Sequence, residues 1–316
     1  MLAIGIDMSK ASFHAALNDN SVKKFKNTPE GIDALLVASE ALGHSAAETL
    51  IGVESTGVYH LLLATRLTKT GYRVMIINPL ESHRFGAAHT LRKLKTDAVD
   101  AQTVRSMVLF GVGRLFTETD DVLALKALIT ERESLVEILA IMKRQQEARM
   151  VRMRAIERSV HDPSISVIAA LQREILLLEA ELLAYAPHTQ HLLRSIPGIG
   201  AISAASLVAY IGDIHRFSTP EKLVAFIGLD CRVHQSGSSI NGHGYISKRG
   251  SKHLRSMLFN AAFVARRRNP VLGAYFAKKV AEGKHYTSAL NAVERKLIHI
   301  IWAVWSRGTP FVQRSV

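Results

Sequence analysis

The stretch Leu2-Ala-Ile-Gly-Ile-Asp7-Met-Ser-Lys10 decides how this chain is read. A short apolar run stops at a carboxylate, and Met8-Ser9-Lys10 turns the chain. Residues 11–17 read as a second strand and 22–25 as a third, which makes the opening an antiparallel meander. Thr28 then caps a helix that has Pro29 at its favoured first position. Leu50-Ile-Gly-Val-Glu54 repeats the opening pattern, a buried-type strand ending in a carboxylate. A helix over about residues 58–69 and a strand over 73–77 follow, and Asn78-Pro79 stops that strand. Strands alternating with helices after an initial meander predict an α/β domain over residues 1–115.

Lys95-Thr-Asp97-Ala-Val-Asp100-Ala-Gln opens the next helix. Spacing of i, i+3 puts Asp97 and Asp100 on one face, in first turns where the helix dipole favours anions. Taken singly, each acid has a plain reading: Asp97 at a helix N-terminus, Asp100 on a solvated surface, Asp7 and Glu54 at loop edges. Taken together, they place two carboxylates at strand ends and two more on one helix face. Hard divalent cations such as Mg²⁺ need such convergent oxygen donors, and paired ions about 4 Å apart clamp the oxygens of a phosphodiester. This Asp…Glu…Asp-x-x-Asp order resembles the nuclease sites of the RNase H fold, particularly the Holliday-junction resolvase group. The resemblance implies an RNase H-like (RuvC-like) N-terminal domain.

Residues 116–190 read as a helical spacer. Leu128, Leu135 and Met142 recur every seven residues, and after a break near Pro163 the stripe Leu171, Ile175, Leu178, Leu182 repeats at 4-3-4 spacing. Two long helices meeting at the break form an antiparallel pair or an intersubunit coiled coil. The face carrying Lys143, Arg144, Arg149, Arg152, Arg154 and Arg158 is either solvated or in contact with a nucleic-acid backbone.

Charge is distributed unevenly. The 316 residues carry a formal net charge of +13. Residues 231–316 hold 15 basic and 2 acidic side chains, so residues 1–230 sum to zero. That asymmetry points the C-terminal region, residues 191–316, which reads as a mainly α domain, toward a polyanion, most simply nucleic acid. Hydrophobic residues at 48% and charged residues at 21% exclude a disordered or fibrous chain. The single Cys231 excludes a disulfide scaffold and a zinc site built on paired cysteines, and suits a reducing cytoplasm. No signal peptide is expected, because Met1 leads directly into a strand pattern. The longest uncharged run, from Ser195 to Gly212, is too short and too polar for a membrane span.

Within the basic region, Ile196-Pro-Gly198-Ile-Gly200 precedes an Ala/Ser-rich helix ending near Gly212. It resembles a helix-hairpin-helix turn, whose exposed N–H groups bind phosphate without reading sequence; a plain interhelical turn would use the same glycines. Thr219-Pro220 starts a further helix that Gly228 stops. His234-Gln-Ser236-Gly-Ser-Ser-Ile-Asn-Gly-His-Gly244 is a loop of small residues, and on its residues alone it reads as a linker. It leads into Lys248, Arg249, Lys252 and Arg255, which are expected to contact nucleic acid and would also offset charge developing on a phosphate.

In combination these motifs resemble a family. Gly-Ile-Asp7-Met-Ser-Lys, Val-Glu54-Ser-Thr-Gly-Val-Tyr, Lys-Thr-Asp97-Ala-Val-Asp100-Ala, Ile-Pro-Gly-Ile-Gly, Ser236-Gly237 and Ser-Lys-Arg-Gly-Ser, in this order, look like the DEDD transposases of bacterial insertion sequences. This is the Piv-like, bridge-RNA-guided recombinase group, the insertion-sequence family one hundred and ten. The resemblance implies a site-specific recombinase that moves its own element. Asp7, Glu54, Asp97 and Asp100 would hold Mg²⁺, and Ser236 would attack a DNA phosphate to form a covalent link, with Ser238 and Ser239 competing for that role. It further implies donor and target double-stranded DNA and a noncoding bridge RNA as partners. A homodimer would become a tetramer on DNA, with a site composed from two protomers, in a cytoplasmic, nucleoid-associated protein. Sequence choice would reside in the RNA. The alternative is a resolvase-like, metal-dependent nuclease that uses water.

Overall fold

The computed structural model describes residues 2–55, 57–89, 96–156, 161–185, 188–231 and 246–313. The chain divides into two compact units, Met1–Thr117 and Glu118–Val316.

The first unit is a mixed α/β domain around a six-stranded sheet of order β3-β2-β1-β4-β5-β6. β1 (Leu2–Met8), β2 (Ser12–Asn18) and β3 (Ser21–Lys26) form the antiparallel meander that the turn residues predict. β4 (Thr49–Glu54) and β5 (Arg73–Ile77) join β1 in parallel, and the two-residue β6 (Arg114–Leu115) closes the edge antiparallel to β5. This arrangement is consistent with the RNase H-like expectation. Helix α1 (Pro29–Glu40) starts as its sequence requires, with the Thr28 hydroxyl accepting from the Gly31 N–H at 3.3 Å. Helix α2 (His60–Lys69) supplies the crossover between the parallel strands. Pro79 does more than end β5: it is the first residue of helix α3 (Pro79–His89), and Asn78 Oδ1 accepts from the Leu80 N–H at 2.9 Å.

Helix α4 (Asp97–Leu109) lies across β1 and β4 at unusually close range. Its buried face, Ala101, Val104, Met107 and Val108, packs with Ala3 and Ile77. Gly5 and Gly52, paired in register on β1 and β4, are the reason this is possible. A Cβ on Gly5 would lie 2.1 Å from the Arg105 amide nitrogen and 2.2 Å from the Ala101 carbonyl oxygen. A Cβ on Gly52 would meet side chains first, Val108 Cγ2 at 2.3 Å and Val104 Cγ1 at 3.0 Å, with the Val104 carbonyl oxygen further off at 3.4 Å. Arg105 then ties the helix to the sheet, its Nε donating to the Ala3 carbonyl at 2.9 Å.

The second unit is mainly helical. Helices α5 (Asp120–Ala155) and α6 (Ser164–Ala184) fold back on each other, joined by Arg132 Nη2 to Glu179 Oε1 at 2.6 Å. The predicted stripes face inward: Ile175 and Leu182 are buried, and Leu171, Leu178, Leu135 and Met142 are half-buried. Of the two arrangements open to the spacer, the intrachain pair is therefore realised. Lys143, Arg144, Arg152 and Arg154 are exposed; Arg149 donates to the His161 carbonyl, and Arg158 lies outside the described residues. Helices α7 (His188–Arg194), α8 (Ala201–Ile211), α9 (Pro220–Ile227), α10 (Lys252–Arg268), α11 (Pro270–Ala281) and α12 (Tyr286–Arg307) complete the unit. Their common core also includes Leu125 and Ile129 of α5 and Leu182 of α6. No helix among the described residues is long and apolar enough to cross a membrane.

Because the Gly5 obstacle is helix backbone, which cannot rotate away, Gly5→Ala is expected to destabilise the first unit at or above the upper end of the ~1–3 kcal/mol typical of overpacking. Gly52→Ala should cost less, since its nearest obstacles are the Val108 and Val104 side chains, which can shift where helix backbone cannot. Urea denaturation of both variants checks the order; equal losses would mean that backbone contact is not what limits the packing.

Candidate functional site

The register of the first sheet assembles the acidic residues. Ile6 pairs with Val53 across the parallel β1–β4 ladder, so Asp7 and Glu54 stand side by side where both strands end. The N-terminus of α4 arrives at the same edge, because its axis is set by the contact on Gly5. Thr96 caps it, its hydroxyl accepting from the Val99 N–H at 3.3 Å, which leaves Asp97 and Asp100 in the first turn. The four acids predicted from sequence are thus brought into one neighbourhood, and Asp7 registers it electrostatically. Burial, then the carboxylates of Glu54, Asp100 and Asp97, push the Asp7 carboxyl up from 3.8 to about 6.

Two further side chains complete this edge. Ser82 of α3, itself buried, donates its hydroxyl hydrogen to Glu54 Oε2 at 2.7 Å and so orients that carboxylate. His14 of β2 is the direct cross-strand partner of Asp7, and its Nδ1 lies 3.2 Å from Asp97 Oδ2. Asp7, His14 and Asp97 each offer a ligand atom, all within 4.8 Å of one another, a grouping that could hold a metal ion. Neither residue stands out in the sequence. His14 does have a signal: a meander turning between residues 10 and 11 pairs 7 with 14. Ser82 sits on a helix that Pro79 conceals.

In the second unit the predicted nucleic-acid contacts take different environments. Gly200 is exposed at the N-terminus of α8, with open space around it. Gly198 instead adopts φ +95, and a Cβ there would lie 2.5 Å from the Ala261 carbonyl oxygen of α10. Its lack of a side chain is therefore required by helix packing and turn geometry. Lys248, at φ 55, and Arg249 are exposed. Lys252 pairs with Glu137 of α5 at 2.8 Å. Arg255 is turned inward, donating to the carbonyls of Gly250 at 2.6 Å and Ile227 at 3.1 Å.

Ser236, with the competing Ser238 and Ser239, lies outside the described residues. The segments that flank 232–245 are held together. Cys231 and Ile246 form an isolated antiparallel bridge, the Ser247 N–H donates to the Asp230 carbonyl at 2.8 Å, and the Ser247 hydroxyl bonds the Asp230 carboxylate. Arg295 of α12 donates to Cys231 Sγ at 3.3 Å. Beside it, Glu294 is only 1% exposed, and its Oε1 has no hydrogen-bond partner among the described residues. Burial raises its carboxyl from 4.5 to about 8, against the opposing pull of Arg255 and Arg295.

Comparison with known proteins gives this arrangement a family. A transposase pattern of the DEDD type matches residues 4–153, and the pattern described as "Transposase IS116/IS110/IS902 family" matches 190–277. A pilin gene-inverting protein of Moraxella bovis is 30% identical over 98% of both chains. The chain belongs to the IS116/IS110/IS902 transposase family. A transposase for insertion element IS1328 of Yersinia enterocolitica is 26% identical, again over 98% of each chain. One for IS1111A of Coxiella burnetii is 38% identical over 36% of this chain and 32% of its own length. As a member of this family the protein is an enzyme acting on DNA, and its DEDD domain goes with use of a divalent metal.

Two pH-dependent predictions follow for this transposase. Asp7 has a folded pKa above its ordinary value, so the stability it contributes is complete below about pH 4 and is lost as pH rises through about 6. Without divalent cations at pH 7.5, Asp7→Asn should therefore be more stable than wild type. The gain should be ~1–2 kcal/mol after allowance for solvent screening, shrinking toward zero at pH 4. Denaturant titrations at the two pH values test this, and an Asp7→Asn variant no more stable at pH 7.5 would contradict it. Glu294 behaves alike over a higher window, losing stability from about pH 4.5 to 8. Glu294→Gln should gain on the order of 2–4 kcal/mol relative to wild type between pH 5 and 8.5. A pH-independent difference in melting would refute it.

Proposed function

We propose that this transposase is a site-specific DNA recombinase of a mobile element, guided by a noncoding bridge RNA, that cleaves and exchanges strands through a serine–DNA intermediate. The observation that carries the reading is the convergence of Asp7, Glu54, Asp97 and Asp100 at one sheet edge, in a chain matched along 98% of its length by a protein named for inverting a gene. The donor set fits a hard divalent cation: carboxylate oxygens, one of them on a group whose pKa is raised by burial and by like charges and would fall beside a cation. Mg²⁺ bound there would supply Lewis-acid stabilisation of phosphate oxygens.

The chain's own residues have separable tasks. Asp7, Glu54, Asp97 and Asp100 would hold the cation, and Ser82 fixes the Glu54 carboxylate. Ser236 would attack the DNA phosphorus, forming a P–Oγ bond as the bond to the neighbouring nucleotide's oxygen breaks. The resulting phosphoserine conserves the energy needed to rejoin strands. Exposed Lys248 and Arg249 would meet backbone phosphate, as would the open α8 N-terminus at Gly200. Arg255 and Gly198 would act through architecture, Arg255 by tying Gly250 to the end of α9. The +13 charge concentrated after residue 230 supports contact with DNA and RNA. Exposed Val136, Ile138 and Ile141 on α5 and Leu176, Leu177 and Leu183 on α6 favour a homodimer, with a tetramer on DNA and a site shared between protomers.

The test uses labelled donor and target DNA, the element's flanking noncoding RNA and Mg²⁺, resolved on a denaturing protein gel. Wild type should give a labelled protein–DNA adduct that is lost in both Ser236→Ala and Asp97→Ala. Cleavage persisting in Ser236→Ala without any adduct would make the enzyme a hydrolytic nuclease that uses water.

A further inference from the structure

The histidine beside the acidic residues has no part in the function proposed so far. Its position is dictated by backbone rather than by chance side-chain drift. Asp7 and His14 are register partners in the β1–β2 hairpin, which places their Cβ atoms about 4.5–5.5 Å apart on one face. The far end of β2 is tied to α4, since Gln102 Nε2 donates to the carbonyls of Asn18 at 2.8 Å and Asp19 at 3.2 Å. Arg105 of the same helix pairs with the Asp19 carboxylate. The strand carrying His14 and the helix carrying Asp97 are thus fixed to each other, and the imidazole stays directed at the carboxylates.

We infer that His14 is a ligand of the cation site, supplying a nitrogen donor alongside the carboxylates of Asp7 and Asp97. This rests on the reading that the acidic edge binds a divalent cation. The geometry is close to what coordination requires. Two donors on one cation at about 2.1 Å lie up to about 4.2 Å apart, and the three ligand atoms here already lie within 4.8 Å of one another. An ion pair accounts for the 3.2 Å contact between His14 and Asp97, and strand register adds Asp7, so that three ligand atoms gather in one compact triangle. The chemical consequence concerns metal choice. Mg²⁺ prefers an all-oxygen shell with several waters, whereas an imidazole donor raises affinity for first-row transition cations. His14 therefore biases the site toward Mn²⁺ over Mg²⁺.

The experiment binds Mn²⁺ to the full-length protein, without nucleic acid, at pH 7.5. Affinity is read by the loss of the free-ion paramagnetic signal, and nitrogen ligation by pulsed paramagnetic resonance. Wild type should show ¹⁴N coupling to the bound Mn²⁺. His14→Gln should lose that coupling and bind Mn²⁺ about tenfold more weakly, while Mg²⁺ affinity measured by competition changes much less. His14→Asp, which restores an oxygen donor, should keep cation binding, show no ¹⁴N coupling and shift preference toward Mg²⁺; it guards against simple misfolding of the glutamine variant. Mn²⁺ bound by wild type without ¹⁴N coupling, and unaffected in His14→Gln, would overturn the assignment and leave His14 as an ion-pair partner of Asp97. Mn²⁺ binding that is absent, or that survives unchanged in Asp7→Asn and Asp97→Asn, would instead overturn the reading of the acidic edge as a cation site, and the His14 assignment with it.

Discussion

Everything at the acidic edge depends on how closely α4 approaches the sheet. The helix touches β1 backbone to backbone at Gly5, where any side chain would collide with the Arg105 amide and the Ala101 carbonyl. Because this contact is between rigid main chains, it sets the height and axis of α4 with little latitude. Asp97 and Asp100 project from the first turn of that helix, so their distance from Asp7 and Glu54 is inherited from the glycine contact. Buried Val104, Met107 and Val108, each contributing about 1.5–3 kcal/mol, hold the helix down against four carboxylates that repel one another. Burial, and after it that repulsion, drives the Asp7 carboxyl up to about 6. A stable scaffold thus maintains an edge that, without a cation, is electrostatically unfavourable.

The second unit carries most of the basic residues, but their chemistry is not uniform. Arg255 is spent on two main-chain carbonyls, Lys252 on Glu137, and Arg266 on the ring faces of Phe263 and Phe276. Lys248 and Arg249 remain exposed just after the Cys231–Ile246 bridge. A basic run in sequence is therefore a mixture of structural ties and free charge. Glu294 shows the same economy from the acidic side: it sits between two arginines, yet burial outweighs them and favours its protonated form.

Much of the first unit was legible because its signals are local. Strand alternation, Thr28-Pro29 as a helix start, and carboxylates at strand ends each need only a few neighbouring residues, and β1 to β5, α1, α2 and α4 all fall where those signals place them. The elements that escaped had ambiguous or distant signals. Pro79 ends a strand and begins a helix with equal right, so α3 and its Ser82 were hidden. β6 is two residues long and exists only as a partner for β5. The helical character expected of residues 191–316 is present, but the part α12 plays in the C-terminal core, through Leu290, Val293, Leu297, Ile298 and Ile301, is set by packing alone.

The sequence by itself determined the kind of chemistry available: an α/β unit with Asp7, Glu54, Asp97 and Asp100 at element ends, a 4-3-4 helical stripe, and a basic C-terminal third. These follow from residue type and spacing, which short-range backbone geometry converts directly into faces and ends. Only the tertiary structure decided which side chains share a site and which serve the scaffold. It added His14 and Ser82 to the acidic edge through strand register and a neighbouring helix. It turned Arg255 inward and made Gly198 a packing contact through the approach of α10 to the turn before α8. Such assignments depend on atoms far apart in the chain arriving within a few ångströms, and that is a property of the packed core rather than of any local run of residues.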